Sequence, residues 1–307
     1  MAGAAGGAGP RLPWPPGPAR ISQLLLQTKV EIEIRRTDGM RAVNLRELWS
    51  FRDLLWLLVW RDFAARYKQT ILGPLWHVVQ PLLTTIIFTL VFSHVAALPT
   101  SGLPPTIFYL CGLLAWNYFS QTFSSISTTL VANAALFGKV YFPRLIVPLA
   151  GLFSNLISFA IQFATFLVVL ALYRLLHPGA TVALRWEAVF LPLVLVQLAA
   201  FSLGAGLWLA ALTTKFRDFT VLAGFVIQLW MYVTPIIYPL SQVPAPWRRW
   251  IAINPVAVPV EAFRALLLGA GAIGPALWAI SIGMTLAVLV SGVVIFQRVE
   301  KNFIDVV

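Results

Sequence analysis

The sequence predicts an all-α integral membrane protein. It has six transmembrane helices, an N-terminal amphipathic interfacial helix, short re-entrant external helices before the last span, and both termini in the cytoplasm. Three observations carry that prediction. The 307-residue chain is 59% hydrophobic and only 11% charged, against about 25% charged residues in soluble domains. No Asp, Glu, Lys or Arg occurs from Gln69 to Gly138, and further charge-free runs cover 145–173, 188–214, 219–247 and 265–297. The net charge of +11 is unevenly placed, with 11 of the 22 Lys and Arg before Gln69.

Residues 1–20 are rich in Gly, Ala and Pro and read as a disordered tail, without the apolar run of a signal peptide. Residues 21–43 read as a cytoplasmic segment. There Val30–Ile34 alternates at period two and Asp38-Gly39 offers a turn, the pattern of a small hairpin. A helix is expected over 44–68, capped by Asn44 with Glu47 reaching back towards it. Trp49, Trp56, Trp60 and Phe63 interleave on it with Arg46, Arg52, Arg61, Arg66 and Lys68. It is too charged to span, and tryptophan with arginine suits a helix lying in the headgroup plane. An ordinary soluble amphipathic helix is the alternative.

The transmembrane domain is expected at 69–297, with 298–307 as a cytoplasmic tail. One helix needs about 20 apolar residues to cross the hydrocarbon core. The first charge-free stretch therefore holds two, divided at Pro99–Pro105. The expected spans are 75–98, 105–130, 147–173, 188–212, 219–240 and 274–297. With the N-terminus inside, 17 of the 22 Lys and Arg fall on the cytoplasmic side. Arg174, Arg185, Arg248, Arg249 and Arg264 fall outside. Between Pro235 and Gly274, five further prolines from Pro239 to Pro259 forbid one long helix. Short bent pieces are expected at Leu240–Pro246 and Trp247–Ile253. Broken backbone at membrane depth needs protein or water around it, which suits the exit of a passage.

The chemistry missing from the sequence narrows function. The expected spans hold no carboxylate, and their histidines, His77 and His94, lack a simple ligand spacing. No catalytic residue, metal site or bound cofactor is expected in this chain. Lone Cys111 excludes an internal disulfide. No GxxxxGK[ST] loop is present to cradle ATP, and no nucleic-acid signature accompanies the basic excess. Uphill transport would then draw its energy from another polypeptide. The second span ends in a polar run, Ser120, Gln121, Thr122, Ser124, Ser125, Ser127, Thr128 and Thr129. A wet passage and interhelical hydrogen bonding both account for it. Small residues spaced by four, Ser202-Gly206-Ala210 and Gly283-Ala287-Ser291, suit close helix packing within the chain or at a dimer seam. Aromatic residues such as Trp76 and Trp116 suit either an interfacial belt or a sugar path.

Several segments together resemble the polysaccharide-export permeases of the ABC-2 superfamily, the membrane subunits that export O-antigen, capsule or teichoic-acid chains. These are Arg61-Asp62-Phe63-Ala64-Ala65-Arg66-Tyr67-Lys68-Gln69-Thr70 with Gly73-Pro74-Leu75-Trp76 and Gln80-Pro81, then Gly112–Trp116. They continue with the loop from Asn133 to Arg144, Lys215–Asp218, Thr234–Pro239, Asn254-Pro255 and Glu261–Arg264. The resemblance covers roughly residues 44–297 in order.

That resemblance implies a homodimer of 12 spans around a central passage, with two copies of a cytoplasmic ATPase that bind the ATP and Mg. It implies that the 133–146 loop couples to the ATPase, with Phe137, Tyr141 and Phe142 suited to an apolar pocket and Lys139, Pro143 and Arg144 beside them. An ordinary positive-inside loop is the competing reading. The 44–68 helix resembles a gate helix. Arg61, Arg66 and Lys68, with Tyr67 and Gln69, would meet the diphosphate of a polyprenyl-linked glycan, or else anchor in lipid headgroups. Trp76, Trp116, Tyr118, Ser124, Ser125, Trp230 and Tyr232 are candidate passage residues. Pro235, Tyr238, Asn254 and Pro255 are candidates for an outer gate. The expected function is ATP-driven export of a lipid-linked polysaccharide, most simply O-antigen, across a bacterial inner membrane. An ABC-2 exporter of small drugs or lipids and a membrane-embedded glycan transferase are the alternatives.

Overall fold

Proline sets where many of the helices begin. Its fixed φ and missing N–H suit a first helical turn, and Pro74, Pro105, Pro192, Pro246 and Pro275 all stand in that position. The computed structural model describes residues 45–302 apart from 138–141, 179–181, 183, 217 and 272. All of these belong to the unit Val43–Val307. The expected tail, hairpin and Asn44 cap lie outside the described residues, as do Lys139 and Tyr141.

The elements in order are α1 (Leu45–Ser50), α2 (Arg52–Tyr67), a 3₁₀ turn (Gly73–Leu75) running into α3 (Trp76–Phe88) and a π-helical stretch (Thr89–Val95), and α4 (Pro105–Ser127). Short α5 (Thr129–Ala132) and α6 (Ala134–Phe137) lead to α7 (Ile146–Leu176). A 3₁₀ turn (Trp186–Phe190) enters α8 (Leu191–Lys215), followed by α9 (Asp218–Val233). A further 3₁₀ turn (Leu240–Gln242), α10 (Ala245–Ile253), α11 (Ala257–Leu268) and α12 (Pro275–Asn302) complete the described chain. No strand occurs among the described residues.

Four segments are long and apolar enough to cross a membrane: Gly73–Val95, Ile146–Leu176, Trp186–Lys215 and Pro275–Glu300. They fall on four of the six expected spans. The second expected span is the 23-residue α4, long enough at about 1.5 Å per residue but polar through its second half. The fifth is shorter than expected. α9 ends at Val233 rather than 240, because Thr234-Pro235 opens a chain break. The single helix expected over 44–68 is also corrected. It is not continuous over 44–68 but bends at Phe51, which leaves the helical region at φ −97° and ψ 18°.

α4 is the hub. It packs on α7 and α8, and α8 in turn packs along α12. One large aromatic and aliphatic core surrounds α4, including Phe108, Phe119, Phe166 and Phe263. A second core joins α2 to the loop before α7 through Leu58, Val59, Phe137, Phe142, Ile146 and Phe296. The α8–α12 crossing is set by glycine. A Cβ on Gly204 would lie 2.6 Å from the Leu289 backbone, and one on Gly292 would strike the Gly204 carbonyl. Of the two small-residue faces, Ser202, Gly206 and Ala210 are buried inside the chain, whereas Gly283 has open space beside it.

Candidate functional site

The turn after α2 brings its basic end over the start of the first span. α2 stops at Tyr67, and Gln69 takes a left-handed φ of 68°. Thr70 then closes the turn, its hydroxyl donating to the Tyr67 carbonyl at 3.0 Å and accepting from the Gly73 amide at 3.1 Å. Gly73 itself sits at φ 52°, where a side chain would be strained. The Lys68-Gln69-Thr70-x-x-Gly73 run is thus a capped reversal. Lys68 and Gln69 are exposed on it. Tyr67 instead packs edge-on against His77, whose Nε2 lies 3.0 Å from the Ser158 hydroxyl. Trp49, Trp56 and Trp60 remain 60–70% exposed along the helix, the arrangement expected of an interfacial helix.

Arg66 reaches a cavity of about 340 Å³ lined also by Ser120, Gln121, Ser124, Asn155 and Ile227. Solvent remains on one side of Arg66. Protein on the other pulls its guanidinium down from its ordinary value, with Asp62 opposing, and the charge persists. The polar run of α4 therefore divides by face. Ser120, Gln121 and Ser124 line this cavity, while Thr122, Ser127 and Thr129 are buried. Ser127 donates to the Ser124 carbonyl and its own carbonyl accepts from Thr213 on α8, at 2.8 and 3.0 Å. Ser125 touches the position where a Gly151 Cβ would lie, so Gly151 lets α7 approach α4 closely.

The described part of the 133–146 loop is organised differently from the sequence expectation. Phe137 and Phe142 face inward, 5.8 Å apart between ring centroids, in the core shared with α2. Arg144 is 8% exposed, stacks 5.7 Å from the Phe137 ring, donates to the Glu300 carbonyl and pairs with its carboxylate at 3.9 Å. These three residues fix the base of the loop rather than project from it. Pro143 starts the turn into α7 by accepting from the Ile146 amide. Arg61 pairs with Asp62 at 2.8 Å and donates to Asn133 Oδ1 at 3.2 Å, a link from α2 to the loop that sequence alone did not signal.

At the opposite end, Trp230 and Asn254 form one network. Trp230 Nε1 donates to Asn254 Oδ1 at 2.9 Å, Asn254 Nδ2 donates to Thr234 Oγ1 at 3.0 Å, and the Val256 amide donates back to Asn254 Oδ1. Tyr238 donates to the Tyr232 carbonyl at 3.2 Å, and the Pro255 carbonyl accepts from Ser281 on α12. Arg264, expected outside, is 1% exposed. It donates to the Pro235 and Ile236 carbonyls at 2.5 and 2.6 Å, pairs with Glu261 at 3.0 Å and lies 3.8 Å from the Phe108 ring centroid. Glu261 also accepts from the Leu240 amide at 3.1 Å. A side chain at Gly112 would collide with this guanidinium. The broken segment is therefore held by a buried ion pair whose only sequence signal was an i,i+3 charge pair in apolar surroundings.

Two aromatic candidates for the passage are corrected. Trp116 and Tyr118 are 4% and 3% exposed and pack against Phe119 and Phe159, so they serve the core of α4. Trp230 is half-buried against Phe119, Phe123 and Phe201. Trp76 and Tyr232, at 43% and 51% exposure, and Ser124 do reach the surface. No group of three His, Cys, Asp or Glu residues suited to a metal ion occurs among the described residues.

Comparison with known proteins adds a family and named relatives. Residues 53–268 match the family described as ABC-2 type transporter. The chain is 28% identical over 254 residues to the O-antigen export system permease protein RfbA of Klebsiella pneumoniae, covering 83% of this chain and 95% of that one. It is 30% identical over 224 residues to RfbA of Myxococcus xanthus, covering 72% and 83%. It is 23% identical over 245 residues to the capsule polysaccharide export inner-membrane protein CtrC of Neisseria meningitidis serogroup A, covering 77% and 85%.

Proposed function

The chain belongs to the ABC-2 type transporter family, and from that premise we propose how it works as the permease subunit of an ABC exporter. It moves a polysaccharide of the O-antigen or capsule kind across the bacterial inner membrane, as its named relatives do. In our reading α4 and α9 cross the bilayer beside the four apolar spans, which gives six crossings and places both ends in the cytoplasm. Two copies then enclose the passage, and a separate ATPase subunit beneath each copy binds ATP and Mg.

The observation that carries the mechanism is the convergence of a basic helix end and a polar α4 face on one cavity, with Arg66 at the shared position. A fixed cation suits a diphosphate. Hydroxyl and amide groups suit the sugar attached to it. Arg66 takes the diphosphate of a polyprenyl carrier at the membrane surface, with Lys68 and Gln69 exposed nearby and Arg61 held towards the loop. α2 is thereby the gate through which the glycan enters.

Force reaches that gate through the loop. Phe137 and Phe142 share a core with Leu58 and Val59 of α2, Arg61 bonds Asn133, and Arg144 bonds Glu300 at the end of α12. A push by the ATPase on the 133–146 loop would move α2 and the last span together. The Pro235–Pro255 segment, braced by Arg264 and Asn254, forms the outer gate.

Deleting the gene in its native host tests this reading. Surface polysaccharide should disappear while lipid-linked polymer accumulates on the cytoplasmic side, and plasmid-borne wild type should restore export. Unchanged surface polysaccharide would overturn it.

A further inference from the structure

Buried helical hydroxyls such as Ser202 and Thr285 donate to the carbonyl four residues earlier in their own helix, the usual habit of serine and threonine there. Ser281 on α12 donates away from its helix. It is 1% exposed, bonds the Pro255 carbonyl at 3.3 Å and accepts from Gln197 Nε2 on α8 at 2.8 Å. Pro259, four residues after Pro255, has no N–H to offer that carbonyl, so the serine takes the place of a backbone donor. Leu277, one turn before Ser281, packs on Leu240 and Val243. One face of α12 thus holds the outer segment at two points, while Asn254 is bonded on its other side to Trp230 and Thr234 at the end of α9. The same helix reaches the cytoplasmic loop, where Arg144 donates to the Glu300 carbonyl. From Ser281 to Glu300 is roughly 28 Å along the axis, at about 1.5 Å per residue.

We propose that Ser281 is the positioning residue of the outer gate, transferring the position of α12, set at Glu300 by the cytoplasmic loop, to the Asn254-Pro255 turn. The proposal rests on the reading of the chain as an exporter driven by an ATPase beneath it, and names the route by which that drive reaches the exit. A helix carries a displacement across the membrane only when it is fastened at both ends and supported between them. Arg144 is the inner fastening and Ser281 the outer one. Between them, Gly204 and Gly292 bring α12 against the α8 backbone. The Gln197–Ser281 bond joins the same two helices again nearer the exit, so they move as one bar. A hydroxyl has one proton and two lone pairs. Gln197 occupies a lone pair, which leaves the proton for Pro255. That bond is long for two oxygens, about 2.5–3.0 Å being usual, which suits a contact made and released in each cycle.

The test uses the full permease with its ATPase partner in lipid nanodiscs and a Val243→Cys reporter. Val243 is 6% exposed and the native Cys111 is fully buried, so a soluble maleimide labels the reporter when the outer segment opens. Without nucleotide, Ser281→Ala should label about fivefold faster than its parent, the weight of one neutral hydrogen bond. Vanadate trapping of the ATPase should change the parent's rate. Ser281→Ala should lose most of that response while hydrolysing ATP as fast as the parent, and Ser281→Thr should restore it. Thr285→Val removes a buried hydroxyl bonded within α12 and should label as the parent does. Gln197→Leu leaves the serine without its orienting amide. It should act like Ser281→Ala to a smaller extent, and covers the case in which alanine prevents assembly. Parental labelling in both Ser281→Ala and Gln197→Leu overturns the proposal, as do equal effects of Ser281→Ala and Thr285→Val. A nucleotide response that is absent from the parent, or that survives Ser281→Ala, also overturns it. The deletion strain separates this from the exporter reading. Surface polysaccharide restored by the wild type keeps that reading whatever the labelling shows, and polysaccharide unchanged by deletion overturns the reading and the proposal with it.

Discussion

Glu261 and Arg264 lie three residues apart on α11 and pair at 3.0 Å with 4% and 1% of their side chains exposed. Around them converge the Pro235 and Ile236 carbonyls and the Leu240 amide. Removing one partner of such a pair strands the other charge and costs about 3–5 kcal/mol. Glu261→Ala and Arg264→Ala should each lower the thermal midpoint sharply in detergent and reduce membrane yield. The double change Glu261→Leu with Arg264→Met should be milder than either, since no bare charge remains.

The crossing of α8 and α12 allows a paired comparison. Gly204→Ala drives a methyl into the Leu289 backbone, and overpacking of this kind costs about 1–3 kcal/mol. Gly283→Ala meets nothing within 4 Å and should be neutral or gain up to about 1 kcal/mol from helix propensity. Thermal midpoints of the two variants should move in opposite directions, or only the first should move.

Arg61 and Asn133 should be coupled more in transport than in stability. Their bond spans 3.2 Å at an exposed position, where a double-mutant cycle is expected to give about 0.5–1 kcal/mol or less. Export rates of Arg61→Ala, Asn133→Ala and the double variant should nonetheless be non-additive. Additive losses would mean that loop and gate helix do not move as one.

Replacing Phe142 and Arg144 together should weaken association with the ATPase, although both face inward. Phe142→Ala alone removes a buried ring and costs about 3–5 kcal/mol, loosening the loop base. Co-purification with the ATPase and its stimulated hydrolysis should fall together. Full association would assign recognition elsewhere.

Much of the membrane architecture was legible because charge is excluded from apolar spans, and charge is plain in a sequence. The breaks were legible where prolines cluster, as at Pro99–Pro105 and from Pro235 to Pro259. Local pattern failed where tertiary contact decided. The sequence places Arg264 on the outer side with no sign of its burial, which the Pro235 and Ile236 carbonyls, Glu261 and the Phe108 ring explain. Phe137 and Phe142 read as outward anchors, yet Leu58 and Val59, some 80 residues earlier, claim them. Within the site, the basic residues and the hydroxyl run were visible. Asn155 was not, since one amide in a long apolar helix has no periodicity to betray it.

The break after α9 has a consequence for leakage. A helix interruption ordinarily leaves carbonyls that must be hydrated, and a file of water at that depth conducts protons and small ions. Here Arg264 brings its own N–H groups to Pro235 and Ile236 from inside the fold. These two carbonyls therefore take their hydrogen bonds from the chain itself. If the proposed outer gate lies here, its broken backbone can stay closed without recruiting water to these two carbonyls, which would spare the ion gradient of the membrane in which it sits.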